Sequence, residues 1–319
     1  MRFFLLILVV LFSFYSCSID EAKNIDVTNI ELNLEIKRFD VDFYTSERQN
    51  LKELKREYPY FFPKEITDSI ALSKMSNKEE LELFAETQNI YKDFSFLKEQ
   101  LTALLKHIKY YNPKFIEPSI VTMLTNIDYD SRVIYADSLL IISLDVYLGK
   151  NHKFYADYPK YIKENNTKEH LIVAAAETII ERQVSISQDR TFVGKMIHEG
   201  KKMYVLERYL PAITDKEKMG YEEKKFNWVQ SNEEQIWSYF IEKKLLFSTD
   251  TKLNKRFLDT APFSKFYMGQ DNLSPGRVGV WVGWQIVRSF MKHNDVSLQE
   301  LLKINELDLF KKSKYKPRK

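Results

Sequence analysis

Residues 278–291 read VGVWVGWQIVRSFM, apolar nearly all the way round a helix. A helix at the surface of a globular protein shows one polar face. Here only Gln285 and Arg288 interrupt the apolar character strongly. The run is too short to span a bilayer, which takes about 20 residues. It is therefore expected to lie inside a core, enclosed by the rest of the chain. Gly279 and Gly283 sit one turn apart and carry no Cβ, so another helix can approach closely. Ser274 and Pro275 are suited to the N-cap and first turn of this helix. With 319 residues, 44% of them apolar, the chain can build the enclosing structure as one large domain or two small ones.

The strongest candidates for its surroundings are two helices, over residues 167–185 and 191–210. On the first, His170, Glu177 and Glu181 share one narrow face, read most simply as a solvated stripe. Leu171, Ile172, Ala175, Ala176 and Ile179 cover the opposite side, with Ile180 at its edge. On the second, Met196, Met203, Leu206 and Leu210 make an apolar stripe into which Glu199 projects. A carboxylate in that position must be paired, hydrogen-bonded or protonated. Gly200 follows it and permits close packing.

Composition narrows the function classes. Eight glycines are few for a glycine-rich nucleotide fold, and neither G-x-G-x-x-G nor G-x-x-x-x-G-K-[ST] occurs. The net charge of +3 arises from many charges of both signs, which makes no case for nucleic acid. Among the five histidines, His107, His152, His170, His198 and His293, no two stand at metal-ligand spacing. No G-x-S-x-G elbow is present, and the one cysteine leaves thiol catalysis without a nucleophile if it is modified. No cofactor is implied.

The N-terminus carries a clear signal. Arg2 precedes a run from Phe3 to Phe14 that is apolar apart from Ser13. This is a signal-peptide core rather than a membrane span. Tyr15 and Ser16 lead directly to Cys17, the only cysteine, in a loose form of a bacterial lipoprotein cleavage site. Diacylation would explain both the position and the solitude of Cys17; an ordinary secretory signal with an incidental cysteine is the alternative. Residues 1–16 then form a signal, 17–29 a tether and 30–310 a single domain. Residues 311–319 form a basic tail with Lys311, Lys312, Lys314, Lys316, Arg318 and Lys319. The tail reads as a frayed terminus, or less simply as a contact for anionic lipid head groups.

Between these landmarks, alternation over residues 30–39 predicts a half-buried strand, with a turn beginning at Arg38. Residues 47–58 predict a helix that ends in the aromatic and proline-rich YPYFFP. Residues 77–110 predict two helices broken near 92–95. Residues 118–126, 131–136 and 139–144 are β-branched and aromatic, and read as an antiparallel hairpin or meander with a turn at 136–138. Residues 213–247 are helical in pattern almost throughout, and 262–270 form an aromatic loop. The sum is an α+β domain, mostly helical, with one small antiparallel-containing sheet packed on helices.

Several phrases together resemble one family: DVYLG at 145–149, YPKYI at 158–162, MIHEGK at 196–201, WSYFIEK at 237–243, APFSKFY at 261–267 and SPGRVGVWVGWQIVRS at 274–289. The chain closely resembles the GldB family of gliding-motility lipoproteins of the Bacteroidota. The likeness covers most of the mature chain, with 274–289 its most specific part. It implies a role in surface gliding beside the secretion machinery of those bacteria, and it establishes no catalytic activity. More distantly, the core is similar to zinc proteases of the gluzincin type. Their H-E-x-x-H helix grips zinc through two histidines, its Glu activates water, and a Glu on the next helix completes the site. The matching segment here is AETII at 176–180, with Ala176 and Ile180 in the histidine places and Glu177 in the general-base place. Glu199 matches the third ligand. The resemblance thus implies a zincin-like scaffold without its metal.

The function expected is a non-catalytic, lipid-anchored protein of the cell envelope, facing the periplasm. Its degenerate protease cleft would offer a place for a peptide or a partner among the gliding or secretion proteins. Glu199 is expected in a buried ion pair with Arg277 or Arg288, whose guanidinium fork satisfies both carboxylate oxygens. Two rivals stand beside this reading. One is a working metallopeptidase with ligands such as His170 or His198 and Glu199. The other is a purely structural envelope lipoprotein.

Overall fold

The computed structural model describes residues 25–136 and 138–319. Cys17, the signal segment, the first part of the tether and the turn residue Asp137 lie outside the described residues. The chain begins with strand β1 (Ile36–Arg38), followed by α1 (Phe39–Thr45), α2 (Leu51–Glu57), α3 (Asp68–Met75), α4 (Lys78–Tyr91) and α5 (Ser95–Tyr111). Strands β2 (Ser119–Met123), β3 (Val133–Ala136) and β4 (Leu139–Ser143) come next. Then follow α6 (Lys160–Lys163), α7 (Lys168–Gln183), α8 (Phe192–Tyr209), α9 (Asp215–Met219), α10 (Glu223–Ser231), α11 (Glu233–Glu242) and α12 (Lys252–Phe257). Helices α13 (Val278–His293), α14 (Leu298–Lys303) and α15 (Glu306–Lys312) close the chain.

Local chemistry sets many of these boundaries. Thr167 caps α7 through the His170 amide, and Thr191 caps α8 through the Gly194 amide. Ser297 and Glu300 form a reciprocal capping box on α14. The single helical pattern over 213–247 divides into α9, α10 and α11. Gly220 turns left-handed after α9 at φ 65°, and Asn232 separates α10 from α11.

The sheet is mixed, in the order β1-β2-β4-β3. The β3–β4 hairpin is antiparallel as expected, with Val133 opposite Ile142. The meander is not: β2 runs parallel to both β1 and β4, with Ile120 opposite Ile36 and Leu140. The connection from β2 to β3 explains why. Asn126 and Ile127 both adopt positive φ, and the buried Asp145 carboxylate accepts from the amides of Thr125 at 3.0 Å and Ile127 at 2.7 Å. The chain is thereby carried past β2's edge, and β4 is the strand that slots in beside β2. Burial pushes the Asp145 carboxyl up to about 6, against the pull of those amides.

Strand β1 is shorter than the alternation over 30–39 predicts. The alternation itself is present in the half-buried Ile30, Leu32, Leu34 and Ile36. Only the end of that extended stretch joins the ladder, because β2 begins at Ser119, one residue before the partner of Ile36, and residues 30–34 lie before it in the register. Phe39 onward is helix rather than turn, which places Phe39 and Phe43 in a small core with Leu51, Leu54, Tyr58 and Met75. Val121 of β2 faces this core, whereas Ile120 faces the main one, so the sheet is covered on both faces.

The main core is organised around α13. Trp281 and Trp284 are among its largest fully buried side chains. Helix α8 crosses α13 with backbones in contact: a Cβ on Gly283 would lie 1.8 Å from the Met196 carbonyl oxygen, and one on Gly200 would lie 2.3 Å from Gly283. Arg277, not Ser274, occupies the N-cap position of α13, at φ 60° and with no side-chain cap. The Ser274 hydroxyl is buried in the preceding loop and donates to the Asp271 carbonyl at 2.7 Å.

The C-terminal tail is docked, not frayed. The Tyr315 hydroxyl and the Arg318 amide both donate to buried Glu233 of α11, at 2.9 and 3.1 Å. Tyr315 also meets Trp237 edge to face. The basic side chains of Lys311, Lys312, Lys314, Lys316, Arg318 and Lys319 stay exposed.

Candidate functional site

A cleft of about 380 Å³ opens at the N-terminal end of α13. One wall is α7; the others are the residues before β3, the loops around α6 and α9, and the segment leading into α13. Helix α7 buries Leu171, Ile172, Ala175 and Ile179 in the core, which leaves Glu177 on the cleft side. A second cleft of about 550 Å³ adjoins the first, and Arg132, Glu177, Thr260 and Arg277 line both. Edge strand β3 borders the second cleft through Val133, Ile134 and Tyr135.

Most charges around the first cleft are spent on the protein itself. Lys160 pairs with Glu222 at 2.7 Å, and Glu164 with Lys150 at 2.5 Å. Lys218 donates to the Ile213 carbonyl, and Lys225 to the carbonyls of Asn272 and Ser274, each at 2.6 Å. His170 is buried rather than solvated, with Nδ1 3.0 Å from Glu217. That hydrogen bond holds the Glu217 carboxyl below its ordinary range, against burial.

Three groups differ. Among the described residues, Arg277 and Glu177 make no side-chain hydrogen bond and no ion pair within 4 Å. Arg132 makes no ion pair; its guanidinium stacks 4.4 Å over the Tyr129 ring, with Glu177 favouring its charge. Arg277 also holds a left-handed backbone conformation, which costs a non-glycine residue roughly 1–2 kcal/mol. Two neutral donors in the wall are likewise unused. The Tyr147 hydroxyl and the Asn166 Nδ2 are buried and lack hydrogen-bond partners. The Tyr147 hydroxyl lies beside Arg132 without hydrogen-bond geometry, and burial pushes its pKa well up.

The positions expected from zincin chemistry are brought together in part. Glu177, Ile180 and Glu199 all line the second cleft, whereas Ala176 is fully buried. Glu199 is not paired with Arg277 or Arg288. It is partly exposed and bonds Lys202 at 3.0 Å, and Lys202 also reaches Glu181 at 2.9 Å. On the helix, Lys202 is three residues on, so the stripe's carboxylate finds its cation locally. Arg288 faces elsewhere: it forks onto Asp215 at 2.7 and 2.8 Å and reaches Glu207 at 2.7 Å. His198 turns toward Glu306, at 3.9 Å. His170, His198 and Glu199 therefore have separate partners, and no group of three or more His, Cys, Asp or Glu among the described residues is placed to hold a metal.

A family model described as "Gliding motility protein GldB" matches residues 20–317. The chain belongs to the GldB family. Membership implies involvement in gliding motility, and the family's lipoprotein designation suggests association with the cell envelope. No helix among the described residues is long and apolar enough to cross a membrane. No curated protein and no solved structure matches the chain.

Four of the six phrases that resemble the GldB family contribute residues to the first cleft. Tyr147 belongs to the first, Lys160 and Tyr161 to the second, Ala261 and Pro262 to the fifth, and Arg277 to the last. Sequence reasoning picked out Arg277 but assigned it to Glu199, and it passed over Arg132, Tyr147 and Asn166. Their placement depends on how the chain crosses from β2 to β3 and returns after β4. The available signal was the wide separation of the phrases, which only a shared site would draw together.

Proposed function

We propose that the protein is a non-catalytic, lipid-anchored component of the gliding envelope machinery, facing the periplasm, and that its cleft receives an extended segment of a partner protein. The observation that carries this reading is the set of unpaired charges, Arg132, Glu177 and Arg277, at the junction of two clefts. All three are half-buried, and a half-buried charge without a partner gives up part of its hydration with no ion pair in return, so stability alone does not account for them. The edge of β3 adds main-chain recognition. The Ser143 amide donates to the Arg132 carbonyl, so residues 132, 134 and 136 face β4 and the peptide groups of Val133 and Tyr135 lie along the open edge. An extended segment laid there gains strand-type hydrogen bonds. The scaffold that supports such a cleft is, on this reading, a zincin-like one in which apolar Ala176 and Ile180 stand where metal ligands would be.

The test is genetic. In a gliding cell whose native copy is replaced, the Arg132→Ala, Arg277→Ala double variant is expected to accumulate to normal levels in membranes and to abolish gliding. Undiminished gliding by that variant counts against the cleft. One zinc atom per chain in the purified protein, retained through dialysis, would replace this reading with that of a metallopeptidase.

A further inference from the structure

We infer that the cleft contains a carboxylate subsite, formed by Arg132 and Arg277 with the Tyr147 hydroxyl and the Asn166 amide, which takes the free C-terminus of an extended peptide. The inference rests on the peptide-binding reading above and specifies which part of the peptide is held.

Charge comes first. The groups that the protein leaves unpaired in the cleft are two guanidiniums and the Glu177 carboxylate, a net single positive charge. That balance suits a monoanion. A phosphate dianion would meet Glu177 in the same space, whereas a carboxylate matches one guanidinium fork and is offset by the whole set. Helix α13 adds to the effect, since its 16 residues begin next to Arg277 and its N-terminal end is positive.

The unused donors supply an independent observation. Tyr147 and Asn166 are each about 1% exposed, and both carry an N–H or O–H group without an acceptor. A buried donor left unsatisfied has lost its water and gained nothing in return, so such groups are retained where an acceptor arrives. A carboxylate brings two oxygens with about four lone-pair sites and no donor of its own. Each of the four groups can donate, and the two guanidiniums and the amide NH2 can only donate, so the wall is matched to a ligand rich in acceptors.

The geometry of β3 then points to a chain end. Its open edge runs through Tyr135 and Val133 and finishes at Arg132. Arg132 lines both clefts, and the buried Tyr147 and Asn166 line the first. A segment following the edge therefore stops there, with its terminal carboxylate among the four donors.

The experiment compares N-acetyl-Val-Thr-Val-Ala with a free C-terminus and the same peptide as its C-terminal amide, by isothermal titration against the purified full-length protein. The acid is expected to bind at least about tenfold more tightly, the scale of one charge-assisted bond. Arg277→Gln and Arg132→Gln should each reduce acid binding toward the amide's level while leaving the unfolding temperature of the free protein nearly unchanged. Glu177→Gln should strengthen acid binding, an effect that a purely structural role would not produce. Equal binding of acid and amide would overturn the carboxylate subsite while leaving peptide binding intact. Failure of both peptides to bind at about 10 mM, some 2.7 kcal/mol in standard affinity, would overturn the subsite too, and the gliding phenotype of the double variant would still stand or fall separately.

Discussion

Glu199 and Lys201 lie two residues apart on α8, and it is Lys201, not Glu199, that sits in a buried ion pair. Glu199 is partly exposed and held by Lys202, a neighbour on the same helix. The pair is only part-buried and Lys202 keeps Glu181 when Glu199 is removed, so Glu199→Ala is expected to cost about 1 kcal/mol or less in urea unfolding. Lys201 is about 1% exposed; it bonds Glu306 at 3.0 Å and also donates to the Ile304 carbonyl. Replacing it by Ala strands a buried carboxylate, at an expected cost of about 3–5 kcal/mol. A loss as small as that of Glu199→Ala would contradict this account. The helical wheel identified a carboxylate in an apolar stripe correctly, but it could not see that the stripe's edge meets water. That depends on the cleft, which is a property of the tertiary arrangement.

The same pair fixes a pH dependence. Burial would raise the Glu306 carboxyl, but His198 and Lys201 outweigh it and hold the group at about 2. In the unfolded chain the group titrates near 4.5, so the folded state binds this proton more weakly. The stabilisation is fully present above about pH 4.5 and is lost as the pH falls toward 2. Its size is about 3 kcal/mol, since each tenfold difference in proton affinity between the two states is worth roughly 1.4 kcal/mol. Glu306→Gln imitates the protonated acid. Its deficit relative to the native protein should therefore be largest at pH 6 and should vanish near pH 2; a deficit independent of pH would show that the carboxylate's charge is not what is being stabilised.

At the scale of elements, most of what the sequence made legible was helix, and the reason is physical. Helices α4, α5, α7, α8 and α13 carry their own periodicity, and α4, α7 and α8 also their own side-chain caps, so the residues that define them are near neighbours. The parallel pairing of β2 with β1 and β4 joins residues about 80 and 20 positions apart. No local pattern encodes that, and the antiparallel meander was the natural but mistaken reading. The close crossing of α8 and α13 was legible in part, because Gly200 and Gly283 each announce a missing Cβ. Their contact makes a sharp prediction. Gly283→Ala gains up to about 1 kcal/mol in helix propensity, yet its methyl would collide with the Met196 carbonyl. Backbone cannot yield as a side chain can. We expect net destabilisation of about 3 kcal/mol, at the upper end of overpacking costs, measured as a lowered urea midpoint with an unchanged slope. A variant as stable as the native protein would mean that the helices are not packed this closely.

For the molecule as a whole, the two chain ends carry different predictions. Two or more acyl chains anchor a protein firmly and one does so marginally. Cys17→Ser should leave the precursor unprocessed or release the domain from its acyl anchor, and persistent labelling with radioactive palmitate would refute the assignment of Cys17.

The C-terminal end can be tested through stability. A frayed tail could be removed at no cost, and its composition suggested one, since lysine and arginine crowd the last nine residues. The anchors hidden among those charges are Ser313 and Tyr315. Ser313 is buried and its carbonyl accepts from the Ser289 hydroxyl of α13 at 2.7 Å. Tyr315 packs on Trp237 and, with the Arg318 amide, satisfies Glu233, which otherwise keeps only the Trp281 indole donor at 3.2 Å. Deleting 313–319 removes two of the three donors to a buried carboxylate together with an aromatic contact. The expected loss is about 2–4 kcal/mol, built from a partly stranded carboxylate and one edge-to-face pair. Thermal unfolding of the truncated protein should shift downward accordingly, and an unchanged midpoint would restore the frayed-terminus reading. Replacing the exposed Lys314 and Lys316 with Glu separates packing from charge. That variant should unfold like the native protein, so any loss of binding to anionic vesicles would report on the lysines' contact with lipid and not on the fold.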